Sequence, residues 1–230
     1  MNQVYALARM RFVGYARSQR VIAPVLATLA VLGILHAGGK SSPVEAYGMS
    51  AIVLFGILAW QAKLSVDTEP DAQRKLSYLA VGSARRDMVA GLLAAGATAV
   101  PTILVGLAAA WFSSAVDAGD DGSMVGALFF GVWVHLLAAV PAWAVGAFAS
   151  RPVTRTRGWG VAMLVGASVL VLVLGIADAG PLRWLVPQLV GAIKAGEDGN
   201  VARGVAITLH AVVWSAVLLG AYTALRNRRR

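Results

Sequence analysis

Six long apolar stretches, at residues 21–37, 46–64, 88–112, 123–149, 159–177 and 201–225, leave this chain few folds to choose from. Each is near or above the ~20 residues that a helix needs to cross a ~30 Å hydrocarbon layer. The longer ones have length to spare for tilting, bending or continuing out of the bilayer. Hydrophobic residues make up 58% of the chain and the mean hydropathy is +0.71; a soluble core could not bury so many apolar runs. The expected fold is an all-α integral membrane protein of six transmembrane helices. An N-terminal interfacial helix at 1–20 precedes them, and a short cytoplasmic helix lies between the second and third.

Charge gives the orientation. Sixteen of the twenty Lys and Arg fall on one set of alternate connections: the N-terminus (Arg9, Arg11, Arg17, Arg20), residues 63–86 (Lys63, Arg74, Lys75, Arg85, Arg86), residues 151–157, and the tail from Arg226. The other set holds Lys40, Arg183, Lys194 and Arg203. Cationic loops are retained in the cytoplasm, so both termini are predicted to be cytoplasmic, as an even number of spans requires. The net charge of +9 is then a topology signal that also favours anionic lipid headgroups. It does not indicate nucleic-acid binding, because no basic stripe interleaved with aromatics lies on a soluble domain.

The chain has no cysteine, which excludes disulfides, cysteine metal sites and thiol catalysis. Its basic start followed by an apolar run imitates a signal peptide. However, Leu35-His36-Ala37 is a poor cleavage site, and cleavage would leave an odd number of spans, so the segment reads as a retained first helix. Sixteen Arg against four Lys, with abundant Ala, Val and Gly, suggests a GC-rich bacterial genome and a plasma membrane location.

The connections carry what can be said of function. The first twenty residues alternate Val4, Leu7, Met10 and Phe12 with arginines, which suits a helix lying along the cytoplasmic membrane surface. On the opposite side, 38–45 is a turn with Gly38, Gly39 and Pro43, and 113–122 carries Asp117, Asp120 and Asp121. Residues 178–200 read as one or two short helices in or dipping into the outer interface, with Trp184 at headgroup depth. The most informative loop is 65–87. Acidic residues Asp67, Glu69 and Asp71 flank Pro70, placed for a helix N1 position, and a mixed helix over 71–80 exposes Leu76, Tyr78 and Leu79 among Arg74 and Lys75. Gly82 ends it, and Ser83 caps the third span with Asp87 in its first turn. That helix is more apolar than a solvated loop needs, so it reads as a docking helix for a cytoplasmic partner; an ordered intracellular loop is the other reading.

The order of parts resembles the type 2 ABC transporter permease family: a surface connecting helix, six spans, a coupling helix in the first cytoplasmic loop and short external helices between spans five and six. The most specific stretch is 67–92, where Glu69, Leu76 to Leu79, Val81-Gly82-Ser83-Ala84-Arg85 and Gly91 follow the family's order. The chain lacks the proline often found before that serine and the family's strong Glu-Arg-Glu cluster. The resemblance implies a permease subunit of an ATP-driven exporter, paired with a second, identical or different, permease subunit and with cytoplasmic ABC ATPase subunits. It further implies that Leu76, Tyr78 and Leu79 fill an apolar groove on the ATPase, while Arg74, Lys75 and Arg85 meet acidic groups at the rim.

No phosphate-binding Gly-x-x-x-x-Gly-Lys-Ser/Thr loop occurs, and no soluble segment could hold a nucleotide domain. The chain is therefore expected to be no enzyme and to hold no cofactor, with ATP and Mg on the partner ATPase. No Asp or Glu lies inside the apolar stretches, and His135 and His210 are the midspan ionisable groups; both read as hydrogen-bonded interior histidines rather than proton carriers. Gly122, Gly126, Gly160, Gly166 and Ala167 are candidates for close helix packing. Two look-alikes fail. Gly166-Ala167-Ser168 opens like a serine-nucleophile motif, but Leu170 stands where the closing glycine belongs. Asp198-Gly199-Asn200-Val201-Ala202-Arg203 opens like the CDP-alcohol phosphotransferase signature, but Val212, Ala216 and Gly220 occupy the downstream positions that should hold metal-binding aspartates. The competing reading is an ion-coupled transporter or an accessory membrane protein without an ATPase.

Overall fold

A computed structural model describes residues 3–113, 116, 123–154, 156–177 and 180–228, apart from the side chains of Asp71, Lys75 and Arg157. Asp117, Asp120, Asp121, Gly122 and Arg155 lie outside the described residues. Among the described residues every regular element is a helix, and the one bridge, Ser41 to Val116, joins two connections at the same end. In chain order these are α1 (Gln3–Ala16), a 3-10 turn (Gln19–Val21), α2 (Ile22–His36), α3 (Pro43–Asp67), α4 (Asp71–Val81), α5 (Ala84–Ala97), α6 (Ala99–Phe112), α7 (Met124–Phe148), α8 (Arg151–Thr154), α9 (Arg157–Ile176), a second 3-10 turn (Gly180–Leu185), α10 (Leu189–Glu197) and α11 (Val201–Arg228).

Among the described residues six helices are long and apolar enough to cross a membrane, and they match the six apolar stretches. The protein is an all-α, multi-pass membrane protein. The third crossing, Ala84–Phe112, is built from α5 and α6 in succession. Pro101 has no N–H to offer Ala97, and at the junction Thr98 N–H donates instead to the Ala95 carbonyl at 3.3 Å, a tighter turn. Sequence caps set the other starts. Ser42 accepts from Glu45 N–H at 3.2 Å with Pro43 at the first helical position, and Ser123 accepts from Gly126 N–H at 3.2 Å.

α3 is the hub: 67% of its apolar window is buried, against 17% for α9 and for α11. Its closest neighbour is α7, and small residues permit the approach. A Cβ at Gly146 would strike Ala59 O and, at 2.6 Å, the Ala62 Cβ. Between membrane helices hydrophobicity gives no net drive, so such van der Waals contact is what holds them. Gly160 is as crowded, with a Cβ meeting Ala149 O at 2.6 Å, as expected of a packing glycine. Gly166, by contrast, faces open space, and the nearest side-chain atom that a Cβ at Gly126 would meet is its own capping Ser123, at 3.6 Å. The outward faces of α2, α9 and α11 stay apolar and exposed, as in Leu29, Val165 and Val217.

The segment before the last span turns back into the bundle. Leu189, Ala192 and Ala195 of α10 are buried, and Ile193 packs on Gly48 of α3. The Trp184 carbonyl is hydrogen-bonded by His210 Nε2 at 2.9 Å, and the Leu185 carbonyl accepts from Trp214 Nε1 at 2.8 Å. His210 and Trp214 stand nine and thirteen residues beyond Val201, roughly 14 and 20 Å along α11 at ~1.5 Å per residue. The 3-10 turn that carries Trp184 is thus tied to the first half of α11. α11 supplies side-chain donors to two carbonyls of this 3-10 turn.

Candidate docking site at the basic end

Four segments meet at the end that holds both termini. α1 packs against α5 through Leu7 and Ala8, which join Val81 and Ala90 in a small apolar cluster separate from the main core. Tyr15 is buried near the end of α1, and burial pushes its phenol up to about 12, so the ring stays neutral. The turn at Arg17-Ser18 and the 3-10 turn then separate α1 from α2, so α1 does not extend the first span.

An ion network crosses this end. Arg11 of α1 donates from Nε to Glu69 at 2.8 Å and from Nη2 to Asp87 of α5 at 2.6 Å. Arg226 near the end of α11 donates to the other oxygen of Asp87, also at 2.6 Å, and to the Tyr222 hydroxyl at 2.9 Å. Asp87 is 1% exposed and Glu69 6%. A second knot centres on Asp67, which takes Lys63 Nζ at 2.5 Å on one oxygen and the backbone N–H of Arg151 at 2.8 Å on the other. The Asp67 carbonyl accepts from Arg20 at 2.9 Å and from Arg151 at 2.6 Å. Basic residues read from the sequence as topology signals thus hold the N-terminus, the 63–87 loop, the start of α8 and the tail together. Breaking a buried pair by removing one partner typically destabilises by about 3–5 kcal/mol, because the other charge is left stranded.

α4 is fixed on this platform by one face. Ser77 donates to Glu69 Oε1 at 2.5 Å, Val81 is buried, and Arg74 reaches back to the Val66 and Glu69 carbonyls at 3.3 Å. Pro70 takes the N-cap position, one residue earlier than its sequence reading. Gly82, at φ +65°, closes the helix in the left-handed conformation that glycine adopts without strain. Ser83 then accepts from Arg86 N–H at 3.5 Å to start α5.

The other face of α4 points away from the protein. Leu76 is 67% exposed and Leu79 is 71%, one turn apart on the same side of the helix, with Tyr78 partly exposed beside them. Arg85 is exposed in the first turn of α5. Of the six residues expected to dock, four are thus outward-facing to some degree. Arg74 is turned inward onto the end of α3 and is not set as a rim charge; the Lys75 side chain lies outside the described residues. Sequence reading missed Arg11, Asp87 and Arg226 as a unit. The available signal was an acidic residue next to Arg85-Arg86 at the mouth of a span, and it was read as a helix-terminus charge only.

Each midspan histidine makes a hydrogen bond through one ring nitrogen, and the other, His135 Nε2 and His210 Nδ1, is buried without a partner. The His135 ring is fully buried, and Nδ1 donates to the Gly131 carbonyl at 2.7 Å, since a carbonyl only accepts. His210 braces Trp184, as above. Ser168 donates to Leu164 O at 2.8 Å, and Asn200 Oδ1 caps α11 by accepting from Arg203 N–H at 3.0 Å, so both look-alike motifs sit in ordinary helical roles. No group of three or more metal-ligating side chains occurs among the described residues. No protein-family model, curated protein or solved structure matches the chain.

Proposed function

We propose that the chain is the membrane-spanning permease subunit of an ATP-driven exporter, working as a homo- or heterodimer with separate cytoplasmic ATPase subunits that carry ATP and Mg. One observation carries the reading: α4 presents Leu76 and Leu79 outward at the charged end, while its inner face is tied through Glu69 to α1 and, by way of Arg11 and Asp87, to α5 and α11. An apolar pair held out among charges suits a groove on a partner protein. A load on α4 would pass along the ion network to the spans and bias the pathway between its two openings. The excess of basic residues supports a cytoplasmic location for this end. Few charges line the bundle interior, so an amphipathic or apolar cargo, such as a lipid, an amphipathic peptide or a hydrophobic antibiotic, suits the pathway.

The chain has no cysteine, so single cysteines report sidedness without background. Gln73→Cys should react with a membrane-impermeant thiol reagent only from the cytoplasmic side, and Lys40→Cys only from outside. Both reacting from one side would break the proposal, because α4 could then not meet a cytoplasmic ATPase.

The two histidines separate this reading from an ion-coupled transporter. His135→Gln combined with His210→Gln should leave transport at least partly intact and dependent on ATP hydrolysis. Loss of transport in a folded double variant, together with dependence on a proton gradient in the wild type, would favour ion coupling.

A further inference from the structure

The end of the molecule opposite the termini carries only four Lys and Arg, and three of them line a single cleft. Arg183 comes from the second 3-10 turn, Lys194 from α10 and Arg203 from the first turn of α11. They surround an opening at residues 174–177, at the end of α9, with about 40 Å³ of room for water-sized atoms. Gln188 also lines it; its side-chain Nε2 is buried and has no hydrogen-bond partner. A buried donor left without an acceptor is destabilising. Arg203 reaches Asp198 at 3.5 Å, but that pair is exposed and contributes little.

Lys194 and Arg203, from separate helices, and a buried amide donor lacking an acceptor all call for one thing, a compact anion rich in acceptor oxygens. We propose that this cleft binds the phosphate group of an anionic ligand, with Lys194, Arg203 and Gln188 Nε2 as its donors and Arg183 at the rim. The site is independent of the ATP-driven reading and lies at the other end of the protein from α4.

Phosphate could come from a lipid headgroup or from a free solute. The cleft lies at the end of two spans, where headgroups reside, and the exposed Leu182 and Leu185 beside Arg183 offer apolar surface to acyl chains. An anionic phospholipid meets both conditions. A zwitterionic one carries the same phosphate together with a cation that the three bases repel.

The test uses the full chain in detergent, with short-chain phosphatidylglycerol, short-chain phosphatidylcholine and inorganic phosphate as probes. Bound lipid is counted by native mass spectrometry, and phosphate binding is measured by calorimetry. Wild type should retain phosphatidylglycerol over phosphatidylcholine by roughly tenfold, the scale of a lost charge-assisted hydrogen bond. Lys194→Gln with Arg203→Gln should abolish that preference, while Lys40→Gln, which removes the remaining base at this end, should preserve it. Gln188→Leu should weaken binding yet raise the thermal stability of the ligand-free protein, which a merely damaged fold would not do. Millimolar phosphate binding with the same dependence on Lys194 and Arg203, and without a lipid preference, assigns the site to a free phosphate compound. The proposal is overturned if wild type shows neither the lipid preference nor phosphate binding, or if Lys40→Gln loses as much as the double variant.

Discussion

Asp87→Leu is expected to destabilise the protein by about 3–5 kcal/mol, the scale for stranding a buried charge. The carboxylate is 1% exposed and holds one guanidinium on each oxygen, Arg11 and Arg226, both at 2.6 Å. Removing it leaves two cations facing each other with little water, so α1 and the end of α11 should both loosen. Thermal unfolding in detergent should show a large drop. Trypsin should cut faster at exposed Arg9 and Arg17 as α1 detaches. Restoring shape without charge, by adding Arg11→Met and Arg226→Met to Asp87→Leu, should recover much of the loss, because well-packed apolar replacements of buried ion pairs are often neutral. Unchanged unfolding of the single variant would show that the network does not hold this end together.

Leu76→Asp with Leu79→Asp should release the ATPase and leave the fold intact. Both side chains are more than two-thirds exposed, so charging them removes no packing within the chain. Buried apolar anchors dominate protein contacts, and each truncation often costs above ~1–2 kcal/mol of binding; a carboxylate placed in an apolar groove costs more. The double variant should insert, unfold at the wild-type temperature and purify without the ATPase. Charge reversal at Arg85 should have a smaller, salt-sensitive effect, since rim charges act mainly on the rate of encounter. Arg74 reversal is different: its guanidinium bonds the end of α3, so its effect should appear in stability.

The spans were legible because lipid imposes a long, uninterrupted apolar run, and the end of α4 and the start of α5 were legible because Gly82 and Ser83 are local punctuation. What could not be read depends on residues far apart in the chain. Asp87 and Arg226 are separated by 139 positions, and the donors to the Trp184 and Leu185 carbonyls lie 26 and 29 residues downstream. Charge counting treated Lys63, Arg11 and Arg226 alike as loop bases. Their burial follows from how α1, α3 and α11 pack, which no local pattern encodes. Small residues were ambiguous for the same reason: Gly146 and Gly48 face a neighbouring helix while Gly166 faces outward, and the chain is too rich in Gly and Ala for composition to tell them apart.

The central claim is that the outward face of α4 rests on an ATP-binding protein. A photo-crosslinking residue at Leu79, the more exposed of the pair, asks this of intact cells, with the same residue at outward-facing Phe129 in α7 as the comparison. The account predicts that the Leu79 probe forms an adduct with a protein that binds immobilised ATP, and that the Phe129 probe does not. Adducts with lipid alone at both positions, or with a partner that binds no nucleotide at Leu79, would contradict it.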